Sequence, residues 1–191
     1  MSNHLSRREF LILVSAATAA IPFPALSKQR TASGEAHEKL EDPWLTLAVV
    51  QEHLFPAEKK APGASDIQAL SYLRQLLQAP DTDREDVDFV IKGVSWLNDL
   101  SSSTYQRLFH QLDTDLKEKI LRKIEQSSAG ERWLSLQLNY LIEALLADPV
   151  YGGNANSQGW QWLEHQPGFP RPTADKRYFK LRTGNHKGFK A

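Results

Sequence analysis

An all-α domain is what this sequence predicts: a compact, bundle-like packing of about six helices, followed by a long ordered C-terminal loop rich in Gly, Pro and Trp. Three observations carry that expectation. From Pro43 to Ala147 apolar residues recur at helical spacing nearly throughout. No stretch of strand-like alternation has comparable length. Prolines and capping residues divide the periodic run into pieces of ordinary helix length.

The first helix places Trp44, Leu47, Ala48 and Phe55 on one face, and Pro56 stops it. Ala61-Pro62-Gly63-Ala64 is a loop, after which Ser65 or Asp66 can cap a second helix with the stripe Ile67, Leu70, Leu73 and Leu77. Ala79-Pro80-Asp81 breaks it. Val87, Val90, Ile91, Val94 and Leu97 then give a third amphipathic helix. Ser101-Ser102-Ser103 reads as a turn, and Thr104 as the N-cap of a short fourth helix carrying Tyr105, Leu108, Phe109 and Leu112. Asp113 or Thr114 can cap a fifth, with Leu116, Ile120, Leu121 and Ile124. Gly130 opens a sixth, with Leu134, Leu138, Leu141, Ile142 and Leu145. There is no internal repeat.

After Asp148-Pro149 the character changes. Residues 150–172 are rich in Gly, Pro, Trp and Asn and cannot form one long helix; they read as a long ordered loop with room for a turn of helix around Trp160. Loops of this length in compact domains are functional or disordered, and the tryptophans and prolines favour order. From Asp175 onward Lys176, Arg177, Lys180, Arg182, Lys187 and Lys190 face one acid, Asp175. This basic tail, residues 175–191, reads either as a solvated terminus or as an arm for an acidic partner or membrane surface.

Composition excludes several function classes. Lys+Arg and Asp+Glu both number 23, so no global field steers the chain to nucleic acid. The aromatic stretch from Tyr151 to Trp162 carries no Lys or Arg, which argues against single-strand binding. With no cysteine, the chain has no disulfide, thiolate zinc site, cysteine-ligated iron–sulfur cluster or covalent c-type haem. Nucleophile elbows, phosphate-binding loops and paired metal-ligand motifs are missing as well. Among the histidines, His53 suits the last turn of a helix, where it meets the dipole. His110, three residues before Asp113, suits a helix cap better than a metal site. His165, inside the Gly/Trp/Pro loop, suits packing better than proton transfer, since no carboxylate is placed beside it by the local sequence.

Residues 1–27 have the layout of a removable signal: a charged start, the apolar run Phe10 to Ala20, Pro22 and Pro24, and small residues before a cleavage site after Ser27. The run is too short for a permanent span. Ser6-Arg7-Arg8-Glu9-Phe10-Leu11 matches the twin-arginine pattern, and the alanine-rich h-region favours that over an ordinary secretory signal. The expected location is therefore the periplasm. Residues 28–42 are polar and aperiodic, a linker, and residues 43–174 form the domain.

The loop Asp148-Pro149-Val150-Tyr151-Gly152-Gly153-Asn154, then Gly159-Trp160, then His165-Gln166-Pro167-Gly168-Phe169-Pro170, resembles the family of gluconate 2-dehydrogenase subunit 3. The motifs behind that resemblance are Asp-Pro-x-Tyr-Gly-Gly-Asn, Gly-Trp and the Pro-Gly-x-Pro close, with the twin-arginine start and helical middle around them. It implies the small, non-catalytic subunit of a membrane-associated, FAD-dependent sugar or sugar-acid dehydrogenase. The FAD resides in a large flavoprotein subunit of the glucose–methanol–choline class, and haem c in a possible multihaem cytochrome subunit. The small subunit is a folding partner and export escort, handed to the twin-arginine translocase with its cargo. Tyr151, Gly152, Gly153, Asn154, Gly159, Trp160, His165, Pro167, Gly168 and Pro170 are then the expected partner interface. Two other readings stand beside it: a free-standing periplasmic ligand-binding protein or enzyme with a site around His165, Tyr151 and Asn154, and a structural scaffold of the envelope.

Overall fold

A computed structural model describes residues 43–178, 180 and 181. The signal residues Ser6, Arg7, Arg8, Phe10 and Leu11, the linker and the end of the basic tail lie outside these. Among the described residues six α-helices follow in order: α1 Pro43–Leu54, α2 Ala69–Leu77, α3 Arg84–Tyr105, α4 Thr114–Glu125, α5 Ser128–Leu146 and α6 Gln158–Trp162. The class is all-α. Helix α5 is the centre of the packing and touches each of the other five.

The predicted stripes point inward. Leu47 and Val50 of α1, Leu73 and Leu77 of α2, Val90, Val94 and Leu97 of α3, Ile120, Leu121 and Ile124 of α4, and Trp133 and Leu134 of α5 form the main core. Trp133 is fully buried, and its indole N–H donates to the Val90 carbonyl at 3.0 Å. This pins α5 to α3 and satisfies the one polar atom of the side chain. A second, smaller core gathers Phe55, Ile67 and Ala69 around Leu141, Ala144 and Leu145, with Trp162 and Leu163 packed on it. It lies at the C-terminal end of α5, where the last segment of the chain docks.

Four boundaries differ from the sequence reading. The serine run is helical: α3 continues to Tyr105, ending at Gln106 in the left-handed region with φ 57. Ser101 is buried, and its hydroxyl donates to the Leu97 carbonyl at 2.7 Å, while Ser103 donates to Leu100 at 3.0 Å. Bonded back to their own helix, these hydroxyls stop competing with it. The short helix expected from Thr104 to Leu112 is instead a 3₁₀ turn, Phe109–Gln111, held by buried Asn98, whose Oδ1 accepts the Phe109 N–H at 3.0 Å. The start of α2 uses neither expected cap. Asp66 accepts the Gly63 N–H at 2.8 Å, inside the preceding turn, and the helix begins after Gln68. Finally α5 starts at Ser128, two residues before Gly130, because the Ser127 hydroxyl accepts the Gly130 N–H at 3.1 Å as an N-cap. At α4, Asp113 is the cap, accepting from Leu116 at 2.9 Å.

Candidate functional site

An α-helix leaves its last carbonyls without partners. At the C-terminus of α5 the following segment folds back and supplies them. Asp148 caps a 3₁₀ turn, Pro149–Tyr151, by accepting the Val150 N–H at 3.0 Å. The chain then reverses, and Asn154 enters the interior with no exposed surface. Its Nδ2 donates to the Ala147 carbonyl at 3.0 Å and its Oδ1 accepts the Gly159 N–H at 2.8 Å. Trp160, also buried, donates from Nε1 to the Leu146 carbonyl at 2.8 Å. The carbonyls of Leu146, the last residue of α5, and of its C-cap Ala147 are thus closed by side chains fourteen or fewer residues downstream.

The glycines serve this contact. A Cβ at Gly159 would collide with the Leu145 carbonyl oxygen, and one at Gly153 would meet the backbone of Ala144. Both cradle the chain's own helix, while a Cβ at Gly152 would meet the Gln75 side chain of α2. The turn is strained: Asn154, Asn156, Ser157 and Glu164 take φ of 48, 53, 58 and 54. Four of the six non-glycine residues with positive φ among those described lie in this short stretch.

The outer layer is built on Trp160. Helix α6 ends, the His165 N–H donates to the Trp160 carbonyl at 2.8 Å, and the His165 ring lies 5.9 Å from the Trp160 ring, tilted against it. Arg171 returns over the same indole, its guanidinium 5.1 Å from the ring centre. It also grips Asp148 with two bonds, Nε to Oδ2 at 2.8 Å and Nη2 to Oδ1 at 3.2 Å. That grip is the first cause holding the Asp148 carboxyl below its ordinary range. Between these groups lies an open depression of about 420 Å³ lined by Trp160, Glu164, His165, Pro167 and Arg171. The Tyr151 hydroxyl accepts the Tyr178 N–H at 3.2 Å, and Arg177 donates to Gln75 of α2 at 3.2 Å, so the start of the tail runs along the same face.

The ten residues expected at a partner interface separate into two sets. Gly153, Asn154, Gly159 and Trp160 are buried and shape the platform from within. Tyr151 and Gly152 are half-buried, while His165, Pro167, Gly168 and Pro170 are exposed. Sequence reasoning missed Phe169, which is 96% exposed, and missed the Asp148–Arg171 clamp that mounts it. The clamp spans 23 residues, beyond the reach of any local pattern.

The other histidines lie elsewhere. His53 Nε2 is 2.8 Å from Glu118 Oε2, tying α1 to α4. This hydrogen bond is the first cause of the lowered Glu118 pKa, with Arg122 helping further. His110 lies in the last turn of the 3₁₀ segment Phe109–Gln111, and its Nδ1 is buried with no hydrogen-bond partner. Among the described residues no group of three His, Asp or Glu could hold a metal ion, and no helix is long and apolar enough to cross a membrane.

Helices that converge on α5, together with a signature segment that closes its C-terminus, define a small helical subunit. The family model of gluconate 2-dehydrogenase subunit 3 matches residues 41–168, about two thirds of the chain. The chain belongs to that family, a subunit of an oxidoreductase complex whose members associate with other gluconate dehydrogenase subunits. Searches of the curated proteins and of the solved structures find no match.

Proposed function

We propose that this chain is the non-catalytic accessory subunit of an FAD-dependent sugar or sugar-acid dehydrogenase. It binds the flavoprotein subunit in the cytoplasm, supports its folding and carries it through the twin-arginine translocase. FAD belongs to that partner, and haem c to a cytochrome subunit where one is present. The complex resides in the periplasm at the inner membrane. The match of residues 41–168 to the subunit family carries this reading. The twin-arginine run Ser6 to Leu11 supports the export role, because that route suits cargo already folded around a cofactor. The exposed part of the platform, His165 to Pro170, is the contact surface, and the buried part, with Asn154 and Trp160, gives it a fixed shape.

The test is export. Arg7→Lys with Arg8→Lys, in a strain expressing both subunits, is expected to leave dehydrogenase activity and flavin in the cytoplasm. Periplasmic activity equal to the unaltered strain would mean that the flavoprotein travels without this chain's signal.

A further inference from the structure

We propose that Phe169 is the anchor of this face, inserting into an apolar, acid-rimmed pocket on the flavoprotein subunit; the proposal rests on the accessory-subunit reading above. Phe169 is 96% exposed, far beyond the other large apolar side chains on the described surface, Leu45, Leu146, Leu181 and Tyr178, which reach 44, 47, 54 and 62%. A phenyl ring in water forfeits the full hydrophobic gain of burial. It is not left there by a loose chain. Two residues on, Arg171 is clamped to Asp148 and stacked on Trp160, and Trp160 is bonded to the end of α5. The prolines at 167 and 170 narrow the turn's freedom further. The ring is therefore presented from the rigid core through a short, bonded path, so little ordering remains to be done on binding. Phenylalanine is among the residues enriched at the core of protein interfaces.

Relief and charge indicate the partner's chemistry. The residues two before and two after Phe169, Pro167 and Arg171, line the depression formed with Trp160, Glu164 and His165, so the same segment that carries the ring also borders a hole, relief that suits a protein partner. Residues 172–181 carry Lys176, Arg177 and Lys180 against Asp175, while Arg171 is already paired with Asp148, and this excess of basic residues suits an acidic rim. A second copy would bring the same positive charge. An anionic lipid surface would meet Glu164 in the hole and an arginine already engaged by Asp148.

The experiment measures the affinity of the full chain for the flavoprotein subunit, identified by its bound FAD and dehydrogenase activity. Phe169→Ala is expected to weaken binding about 30-fold or more, and Phe169→Leu less than 10-fold. The thermal midpoint of the free chain should stay unchanged for both, since the ring packs on nothing. Asp148→Asn, which keeps the N-cap acceptor but weakens the clamp, is expected to cost several-fold. Three results overturn the proposal: Phe169→Ala binding within about twofold of the unaltered chain; loss on Phe169→Ala of binding to phosphatidylglycerol vesicles with flavoprotein affinity intact; or a dimer of this chain that Phe169→Ala dissolves. If the unaltered chain binds no flavoprotein, the accessory-subunit reading falls as well, and the two failures are told apart by that control.

Discussion

The Asn154 side-chain amide serves two parts of the chain at once, the end of α5 and the start of α6. Asparagine suits the place because its amide both donates and accepts and because it tolerates the left-handed backbone found there, φ 48. Asn154→Ala leaves the Ala147 carbonyl and the Gly159 N–H unpaired in a closed site. The expected loss is about 2–6 kcal/mol of folding stability by denaturant titration, from about 1–3 kcal/mol for each of the two abandoned groups. Trp160→Phe keeps most of the buried ring but abandons the Leu146 carbonyl, and about 1–2 kcal/mol should go. The opposite sign is expected at Gln137. This residue is fully buried on α5, and neither its Nε2 nor its Oε1 has a hydrogen-bond partner. Gln137→Met, similar in shape and without the amide, should raise stability by about 1 kcal/mol. A fall in the unfolding midpoint would show that the amide is satisfied by bound water.

Among the elements, α3 and α5 show how packing decides what local preference cannot. Gly93 lies in the interior of α3, where glycine is disfavoured by about 1 kcal/mol relative to alanine. A Cβ there would run into the indole of Trp133. Gly93→Ala should therefore destabilise despite its helix propensity, by about 1–3 kcal/mol, the usual range for overpacking. The Asp148–Arg171 clamp gives the platform a pH dependence. Asp148's carboxyl is held below its ordinary value, so as acid is added the unfolded chain takes up the proton first. The clamp's contribution is whole above about pH 4, the usual carboxylate range, and is lost as pH falls through the depressed folded value. Asp148→Asn should remove this part of the acid sensitivity, read as a flatter fall of the unfolding midpoint below pH 4.

These elements also show what the sequence could reveal. The stripes of α1 to α5 were legible because a helix buries one face and the 3.6-residue period records which. The serine run at 101–103 was misread because serine's preference for turns disappears once its hydroxyl bonds back to the helix. The segment after Asp148 was legible as special by composition. Its internal division into buried and exposed residues was not, because that depends on where α5 ends in space. No pattern in the sequence announces that Trp160 will meet the Leu146 carbonyl, or that Arg171 will return to Asp148.

For the molecule as a whole, the outcome is a helical body whose central helix ends in a built surface. The signature residues of the loop close that helix and brace a turn that faces outward, with Phe169 at its tip. A subunit that contributes shape to a complex needs this division between a rigid mount and an exposed contact. The most direct measurement is periplasmic FAD-bound dehydrogenase activity from a flavoprotein expressed with and without this chain. The account predicts activity in the periplasm, in a complex containing both subunits, only when this chain is present. Equal activity without it, with this chain migrating alone when both are expressed, would contradict the account.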